Sequence, residues 1–328
     1  MSVWVGGRFA SQLISLTQAD ANEHTSKLYL MDIRLGLVVN VSDQAVACCS
    51  LWSPDGARIA FTGANGALFI WDMRRGDTTS LSLPYKAVSV DDWSSDSQAL
   101  LVTTQRGDGS YQELYRVAVN GDGFQQLIAS NDPFKHLNFV QESADDRFSV
   151  FVQGSSYITR LWEIYRIDAD GKNRQQISDG EGVSYAPQLS PDGRRIVFTR
   201  GNVQNSHLFI MNADGSAMGQ LTRTQTVERL PIWSPDGSQL LFQTYINPDF
   251  PRTLEIMNAD GTGRRRLADD SAFDVLPSWS PDGQHIVYEI QRNGGTALYL
   301  TDADGTQVRL LLKNNWKYHL NPAWQPGM

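Results

Sequence analysis

The stretch Trp279-Ser280-Pro281-Asp282-Gly283, followed by the apolar run His285-Ile286-Val287-Tyr288, decides the fold of this chain. The same signature stands at Trp233–Gly237 and Trp52–Gly56, and with leucine in place of tryptophan at Leu189–Gly193. In each copy proline presets φ, aspartate can accept hydrogen bonds from backbone amides, and glycine takes the positive φ that ends the turn. A fixed signature at a fixed period indicates a repeat architecture.

The spacing of the signature predicts the number of repeats. Its first residue falls at Trp52, Trp93, Leu189, Trp233, Trp279 and Trp324, in steps of 41, 96, 44, 46 and 45 residues. The longest step spans two periods, and a degenerate copy, Phe139-Val140-Gln141-Glu142-Ser143, lies in its middle. Seven copies of this length predict an all-β, seven-bladed β-propeller of four-stranded antiparallel blades. Without strands at the degenerate copy, the count would fall to six.

The two ends of the chain are predicted to share one blade. Residues 8–42 contain three strand-like runs that no signature precedes, whereas the last copy, Pro322–Gly327, supplies a single strand. If the C-terminal strand joins the N-terminal blade, the ring has no open sheet edge. We therefore expect a single propeller domain. Its predicted blades cover residues 1–43 with 317–328, 44–84, 85–130, 131–179, 180–223, 224–269 and 270–316.

The composition restricts the class of protein. Hydrophobic residues make up 41% of the chain and charged residues 20%, which is typical of a soluble globular protein, and the net charge of −8 disfavours nucleic acid as a partner. No apolar run is long enough to span a membrane, and residues 1–10 lack the pattern of a secretion signal. We expect a monomer without membrane insertion, either cytoplasmic or, if a signal has been removed, periplasmic or extracellular.

Three further features are predicted to be structural. Turns such as Asn212–Gly215 resemble the start of a calcium loop, but they lie between strands and lack the distal glutamate, so we expect hairpins. The recurring tryptophans are predicted to pack between blades. Cys48 and Cys49 are adjacent on a predicted strand, which favours small buried residues over a disulfide or a metal site.

The repeat resembles a known family. The signature, the strand Leu208–Met211, the turn Asn212–Gly215 and the run Gln220-Leu221-Thr222 together resemble the TolB-type WD-like propeller repeat over nearly the whole chain. TolB itself is a periplasmic propeller that binds protein partners and has six blades and a separate N-terminal α/β domain. This sequence has seven copies and, we expect, no such domain, or else it is the propeller domain of a larger protein. The resemblance implies the fold more firmly than the function.

A candidate binding surface follows from the expected position of the first strand. In such blades the first strand is innermost, so the residues just before the signature should surround one mouth of the central channel. The candidate binding residues there are Lys135, His136, Tyr185, Glu228, Arg229, Asp274, Trp316, Tyr318 and His319. We expect non-catalytic binding of a protein or peptide partner, without a cofactor. The simpler interpretation, that a water-filled mouth is lined by polar residues in any case, stays open.

The alternative function is enzymatic. Resemblance to oligogalacturonate lyases would imply action on an acidic oligosaccharide with a metal held by histidines and a glutamine. Only His136 and His319 fall at comparable inner positions, since His207 and His285 lie elsewhere in the repeat. A G-x-S-x-G nucleophile motif and the glycine patterns of nucleotide-binding loops are missing in the required context. No catalytic residue and no metal ligand is therefore predicted.

Overall fold

The computed structural model describes residues 12–19, 26–105, 112–129, 135–155, 161–202, 204–246, 252–272, 277–292, 295–314 and 321–327. In these ranges every extended regular element is a β-strand, and the strands form seven four-stranded antiparallel blades in a ring. The predicted seven-bladed β-propeller is confirmed. No helix in this part of the chain could cross a membrane.

The strands are numbered here in chain order. Those of blades 1 and 2 are β1 (Leu13–Ala19), β2 (Ser26–Asp32), β3 (Leu37–Trp52), β4 (Arg58–Gly63), β5 (Leu68–Asp72) and β6 (Asp77–Leu81). Blades 3 and 4 comprise β7 (Lys86–Trp93), β8 (Ala99–Gln105), β9 (Gln112–Ala118), β10 (Phe124–Ile128), β11 (Lys135–Glu142), β12 (Phe148–Ser155), β13 (Leu161–Asp168) and β14 (Gln175–Gln176).

Blades 5 and 6 comprise β15 (Ser184–Leu189), β16 (Arg195–Asn202), β17 (Asn205–Asn212), β18 (Gly219–Gln220), β19 (Val227–Trp233), β20 (Gln239–Tyr245), β21 (Arg252–Asn258) and β22 (Arg265–Ala272). Blade 7 contains β23 (Pro277–Trp279), β24 (His285–Arg292), β25 (Gly295–Asp302) and β26 (Val308–Asn314). The last strand, β27 (Ala323–Trp324), belongs to blade 1.

The C-terminal strand closes the ring as predicted. In blade 1, β27 pairs antiparallel with β1, so that Ile14 lies opposite Trp324. Gln325 then donates its backbone N–H to the carbonyl of Leu13 (2.9 Å) and its side-chain amide to the carbonyl of Gly56 in blade 2 (2.7 Å). The long strand β3 pairs with β2 at one end and with β4 at the other, and it thereby connects blades 1 and 2.

The degenerate copy forms a true blade. Its strands β11 and β12 pair as the first two strands of blade 4. The serine of the turn also keeps its role, because the Ser143 hydroxyl donates to Asp145 (2.8 Å) as the Ser280 hydroxyl donates to Asp282 (2.6 Å). Asp146 takes the glycine position with a φ of 53°. The count of seven therefore holds.

The turns between the third and fourth strands are hairpins, as expected. In blade 5 the Gly215 N–H donates to the carbonyl of Asn212 (2.9 Å), and Gly215 has a φ of 86°. A Cβ at this glycine would lie 2.9 Å from the carbonyl oxygen of Ile177 in blade 4. Glycine is required here both by the left-handed backbone and by the close approach of the neighbouring blade.

The signature tryptophans connect neighbouring blades. They are 4–8% exposed, and most donate the indole N–H to a backbone carbonyl of the preceding inner strand. These bonds are Trp52 to Ala323 (3.3 Å), Trp93 to Leu51 (3.2 Å), Trp233 to Gln188 (3.0 Å) and Trp324 to Ser278 (3.0 Å). Trp279 differs, because its buried Nε1 has no hydrogen-bond partner among the described residues. The prediction of packing between blades is confirmed.

Blade 4 replaces this contact with charged groups. Glu142 stands at the tryptophan position, forms an ion pair with Arg116, and donates its backbone N–H to Asp92 (2.8 Å). Burial raises the pKa of Asp92 to about 6 and that of Glu142 to about 7, although Arg116 acts in the opposite direction on Glu142. The contact between blades 3 and 4 therefore contains two carboxyl groups whose pKa is raised by burial, of which Glu142 faces Arg116.

The indole hydrogen bond gives a testable difference between two equivalent positions. Trp93→Phe removes an interblade hydrogen bond, whereas Trp279→Phe, at the same repeat position, removes an N–H that has no acceptor. Both lose similar buried area. We expect Trp93→Phe to lower the free energy of unfolding by about 1 kcal/mol more than Trp279→Phe, as measured by urea unfolding. Equal losses would show that the indole hydrogen bonds do not stabilise the ring.

Candidate functional site

We call the end of the ring at which the inner strands begin the entry mouth, and Tyr185 and Arg229 lie near the starts of two of these strands. The first strands of neighbouring blades contact one another, as β15 does with β19. Just after Tyr185 and Arg229 these strands contain a β-bulge, where pairing shifts register. Ala186 and Leu230 take φ values of 50° and 53° in the bulge. Bulges of this kind redirect side chains and are frequent beside binding sites.

The bulge in one blade is held by the preceding blade. The Leu230 N–H donates to the hydroxyl of Thr199 on β16 (3.2 Å), and the Asn321 N–H donates to the carboxylate of Glu289 on β24 (3.2 Å). Thr199 and Glu289 have no exposed surface. At these two positions the backbone of the entry mouth is held by buried side chains of the preceding blade.

Glu228 is buried between blades 5 and 6. Its carboxylate contacts His207 Nδ1 (2.7 Å) and Arg264 Nη1 (2.7 Å), and it accepts from the hydroxyls of Thr222 (2.9 Å) and Thr224. Burial alone would raise the pKa of Glu228, but the hydrogen bonds from Thr224, His207 and Arg264 hold it below the usual range. With no exposed surface, this carboxylate connects two blades, and a partner at the mouth cannot touch it.

Arg229, the next residue on β19, has a different environment. It is half-buried, and its Nε is buried without a hydrogen-bond partner in the described part of the chain. Arg252 begins β21 at the same end of the blade, and its guanidinium lies 5.9 Å from the ring centroid of Tyr245. Burial lowers the pKa of Arg252, and the charge of Arg229 lowers it further. The two guanidinium groups therefore repel each other.

Tyr185 lies near the start of the inner strand of blade 5. It is half-buried, and burial raises the pKa of its hydroxyl, while a hydrogen bond with Ser206 and the charge of Arg229 act in the opposite direction. The hydroxyl stays neutral and can both donate and accept. Tyr185 and Arg229 belong to the inner strands of neighbouring blades, and their role in binding stays a prediction.

Of the other residues predicted to bind a partner, the structure describes only some. His136 is half-buried in blade 4, with its ring centroid 6.3 Å from that of Trp162. Lys135 starts β11, but its side chain lies outside the described residues. The same holds for the side chains of Cys48 and Cys49 on β3 and for the whole of Asp274, Trp316, Tyr318 and His319.

The described histidines occupy separate environments. His207 pairs with Glu228, whereas His285 contacts Asp302 (3.1 Å) in blade 7. Among the residues that the structure describes, no group of three or more histidine, cysteine or acidic side chains is arranged to hold a metal ion.

The sequence reasoning missed two residues at the entry-mouth end of blade 6. Tyr245 ends the second strand of blade 6 and Arg252 begins the third. In an antiparallel blade, the end of the second strand and the start of the third lie at the same end as the start of the first. The sequence signal was therefore a pair of polar residues in one repeat, one at the end of the second strand and one at the start of the third. This pattern would have predicted that Tyr245 and Arg252 lie at the entry-mouth end of blade 6.

The repeat is assigned by comparison with known families. The family model for the TolB beta propeller domain matches residues 150–327, which is more than half of the chain. This chain belongs to that family. No protein with a curated description matches the sequence.

Solved structures share the fold of this TolB-family propeller at low sequence identity. TolB from Acinetobacter baumannii is 16% identical, with 96% of this chain and 83% of that chain covered and a TM-score of 0.60. An oligogalacturonate lyase from Vibrio parahaemolyticus is 14% identical, with 93% and 86% covered and a TM-score of 0.66. A puromycin-hydrolyzing peptidase from Mycobacterium tuberculosis is 11% identical, with 94% and 54% covered and a TM-score of 0.71. Such different proteins show the shared fold alone.

The structural role of Glu228 can be tested by an isosteric change. Glu228→Gln removes the charge that faces Arg264, which also pairs with Glu255. Because breaking a buried ion pair leaves the other charge uncompensated, we expect a loss of about 3 kcal/mol in the free energy of unfolding. Glu181→Gln, an exposed change just before β15, should stay within about 0.5 kcal/mol of the wild type. Equal stability of the two variants in urea unfolding would contradict the buried role.

Proposed function

We propose that this TolB-family propeller is a non-catalytic binding module that docks a protein or peptide partner at its entry mouth. The observation that carries the proposal is Arg229, a half-buried cation on an inner strand whose Nε has no hydrogen-bond partner among the described residues. Donors of this kind are normally satisfied in folded proteins. A partner at the mouth can contact the part of the Arg229 side chain that stays exposed.

The rigidity of the mouth supports binding. The bulge at Leu230 is fixed by a hydrogen bond to Thr199. The neighbouring residue Glu228 connects blade 6 to blade 5 through His207 and Arg264. A surface that is ordered before binding loses little conformational entropy when a partner docks. The scaffold thus presents its polar groups in one geometry, as a recognition surface requires.

The family and the overall charge agree with this kind of partner. The resemblance to TolB implies protein binding, and a net charge of −8 disfavours a nucleic acid backbone. We infer that the partner is a protein or peptide and that binding needs no cofactor. The fold likeness to oligogalacturonate lyase and peptidases is shared architecture and is no ground for assigning catalysis.

Site-specific photo-crosslinking tests the location of the docking surface. A photoreactive residue at Val88, which is 38% exposed at the start of the inner strand of blade 3, should label a partner in native extract. The same residue at Leu35, which is 63% exposed at the outer edge of blade 1, serves as the control.

We expect a labelled band from the Val88 position that is weakened by Arg229→Ala, and no such band from the Leu35 position. Labelling from Leu35 alone would place the partner on the outer rim and contradict the proposal.

A further inference from the structure

A cavity lies between blades 2 and 3 at the entry-mouth end of the ring. Its volume is about 490 Å³, a size typical of ligand pockets. Residues 65–68, 80–86 and 105 line it. They belong to the hairpin between β4 and β5, to the segment that joins β6 to β7, and to the end of β8. Lys86 is the first residue of the inner strand β7, which places the cavity at the entry mouth.

Lys86 gives this cavity a single positive charge. Among the described residues that line it, Lys86 is the only charged one. Its aliphatic stem lies against Gly66 of blade 2, because a Cβ at Gly66 would be 2.7 Å from Lys86 Cβ and 3.1 Å from its Cγ. Gly66 has a φ of 78°, and its carbonyl accepts from the backbone N–H of Ala87 (2.9 Å). The stem is thus held between two blades while the Lys86 side chain stays exposed.

The rest of the lining is neutral and of two kinds. Ser80 and Ser82 are exposed, and their hydroxyls can donate hydrogen bonds. Pro84 is also exposed, whereas Leu83 and Tyr85 are half-buried and pack against the apolar cluster between blades 2 and 3. One cation, two hydroxyls and an apolar wall therefore surround the same space.

We propose that this cavity binds the free C-terminal carboxylate of a partner chain that ends in an apolar residue. The carboxylate pairs with Lys86 Nζ, and the terminal side chain packs against Leu83 and Pro84. An ammonium group binds a carboxylate through charge-assisted hydrogen bonds, and capture of a chain end is a recurring mode of peptide recognition. This inference rests on the proposed function, since it names the part of the partner that docks at the entry mouth.

The charge of the lining favours a chain end over an acidic sugar. A C-terminal residue brings one carboxylate to the one cation and an apolar side chain to the apolar wall. An acidic oligosaccharide carries a carboxylate on each sugar, and the protein's net charge of −8 would repel those that Lys86 does not pair. An internal acidic side chain would supply the carboxylate but would leave Leu83 and Pro84 without an apolar contact.

A titration followed by two-dimensional NMR tests the inference. The probes are the peptides Ac-Gly-Ser-Gly-Leu-OH and Ac-Gly-Ser-Gly-Leu-NH2, which differ only in the terminal charge, the blocked acidic peptide Ac-Gly-Glu-Gly-NH2, and trigalacturonate. The protein variants are Lys86→Gln and Lys86→Arg. The matched control is Lys313→Gln, which removes the same charge from an exposed position on the outer strand of blade 7.

We expect the free-acid peptide to bind the wild type about fivefold more tightly than the amide, which is what an ion pair with a solvent-exposed lysine can give. It should shift the backbone amide signals of Gly66 and Lys86. Lys86→Gln should abolish the preference, whereas Lys86→Arg and Lys313→Gln should retain it. Because Lys86 is exposed, Lys86→Gln should keep the wild-type midpoint of urea unfolding, which separates loss of recognition from loss of folding.

Other results would overturn the inference. Equal binding of the acid and amide peptides, no binding of either, or an equal loss in Lys86→Gln and Lys313→Gln would remove the carboxylate specificity. Tighter binding of trigalacturonate or of the glutamate peptide would assign the cavity a different ligand. If the partner in native extract is still labelled from Val88 in these cases, the entry mouth remains the docking surface and only the chemistry of the cavity has been misassigned.

Discussion

The structure depends on hydrogen bonds that join most inner strands to the blade before them. A four-stranded blade is a small sheet, and only its neighbours in the ring cover its two faces. The indole N–H of Trp93, for example, reaches the carbonyl of Leu51, one residue before the equivalent tryptophan of the preceding blade. Because this contact recurs around the ring, it sets the distance between blades. The C-terminal Trp324 makes the same contact with Ser278 and so completes the series.

Charged groups add further contacts between some blades. Glu142 replaces the tryptophan in blade 4 and is paired with Arg116, while Glu228 joins blades 5 and 6 through His207 and Arg264 in addition to Trp233. Buried pairs of this kind add less stability than apolar packing but demand a defined geometry. The side of the ring formed by blades 3 to 6 is thus the part in which polar contacts determine how blades meet. The entry-mouth arginines lie beside one of these contacts.

Much of the fold could be predicted from the sequence because each repeat marks its turns with the same residue types. Proline, aspartate and glycine stand at fixed offsets in the turns, and the tryptophan spacing set the blade count and the closure. The degenerate copy at Phe139 could also be placed, since its serine and aspartates keep the turn geometry without proline or glycine. Local chemistry and repeat length agree at every blade.

The site was less accessible to sequence reasoning. Glu228 and Arg229 are adjacent and were expected together at the mouth, yet the alternation of the strand buries one carboxylate between blades and leaves one guanidinium at the mouth. Arg252 and Tyr245 belong to other strands of the same blade, and the strand order places them at the same end of the blade as Arg229. The partners of a side chain across a blade are a tertiary property that the repeat signature does not encode.

A structure of the protein with the partner captured by photo-crosslinking from Val88 tests the central claim most directly. The account predicts that the partner lies at the entry mouth, with the pairing of Glu228 to His207 and Arg264 unchanged. A partner bound on the outer rim would contradict the account.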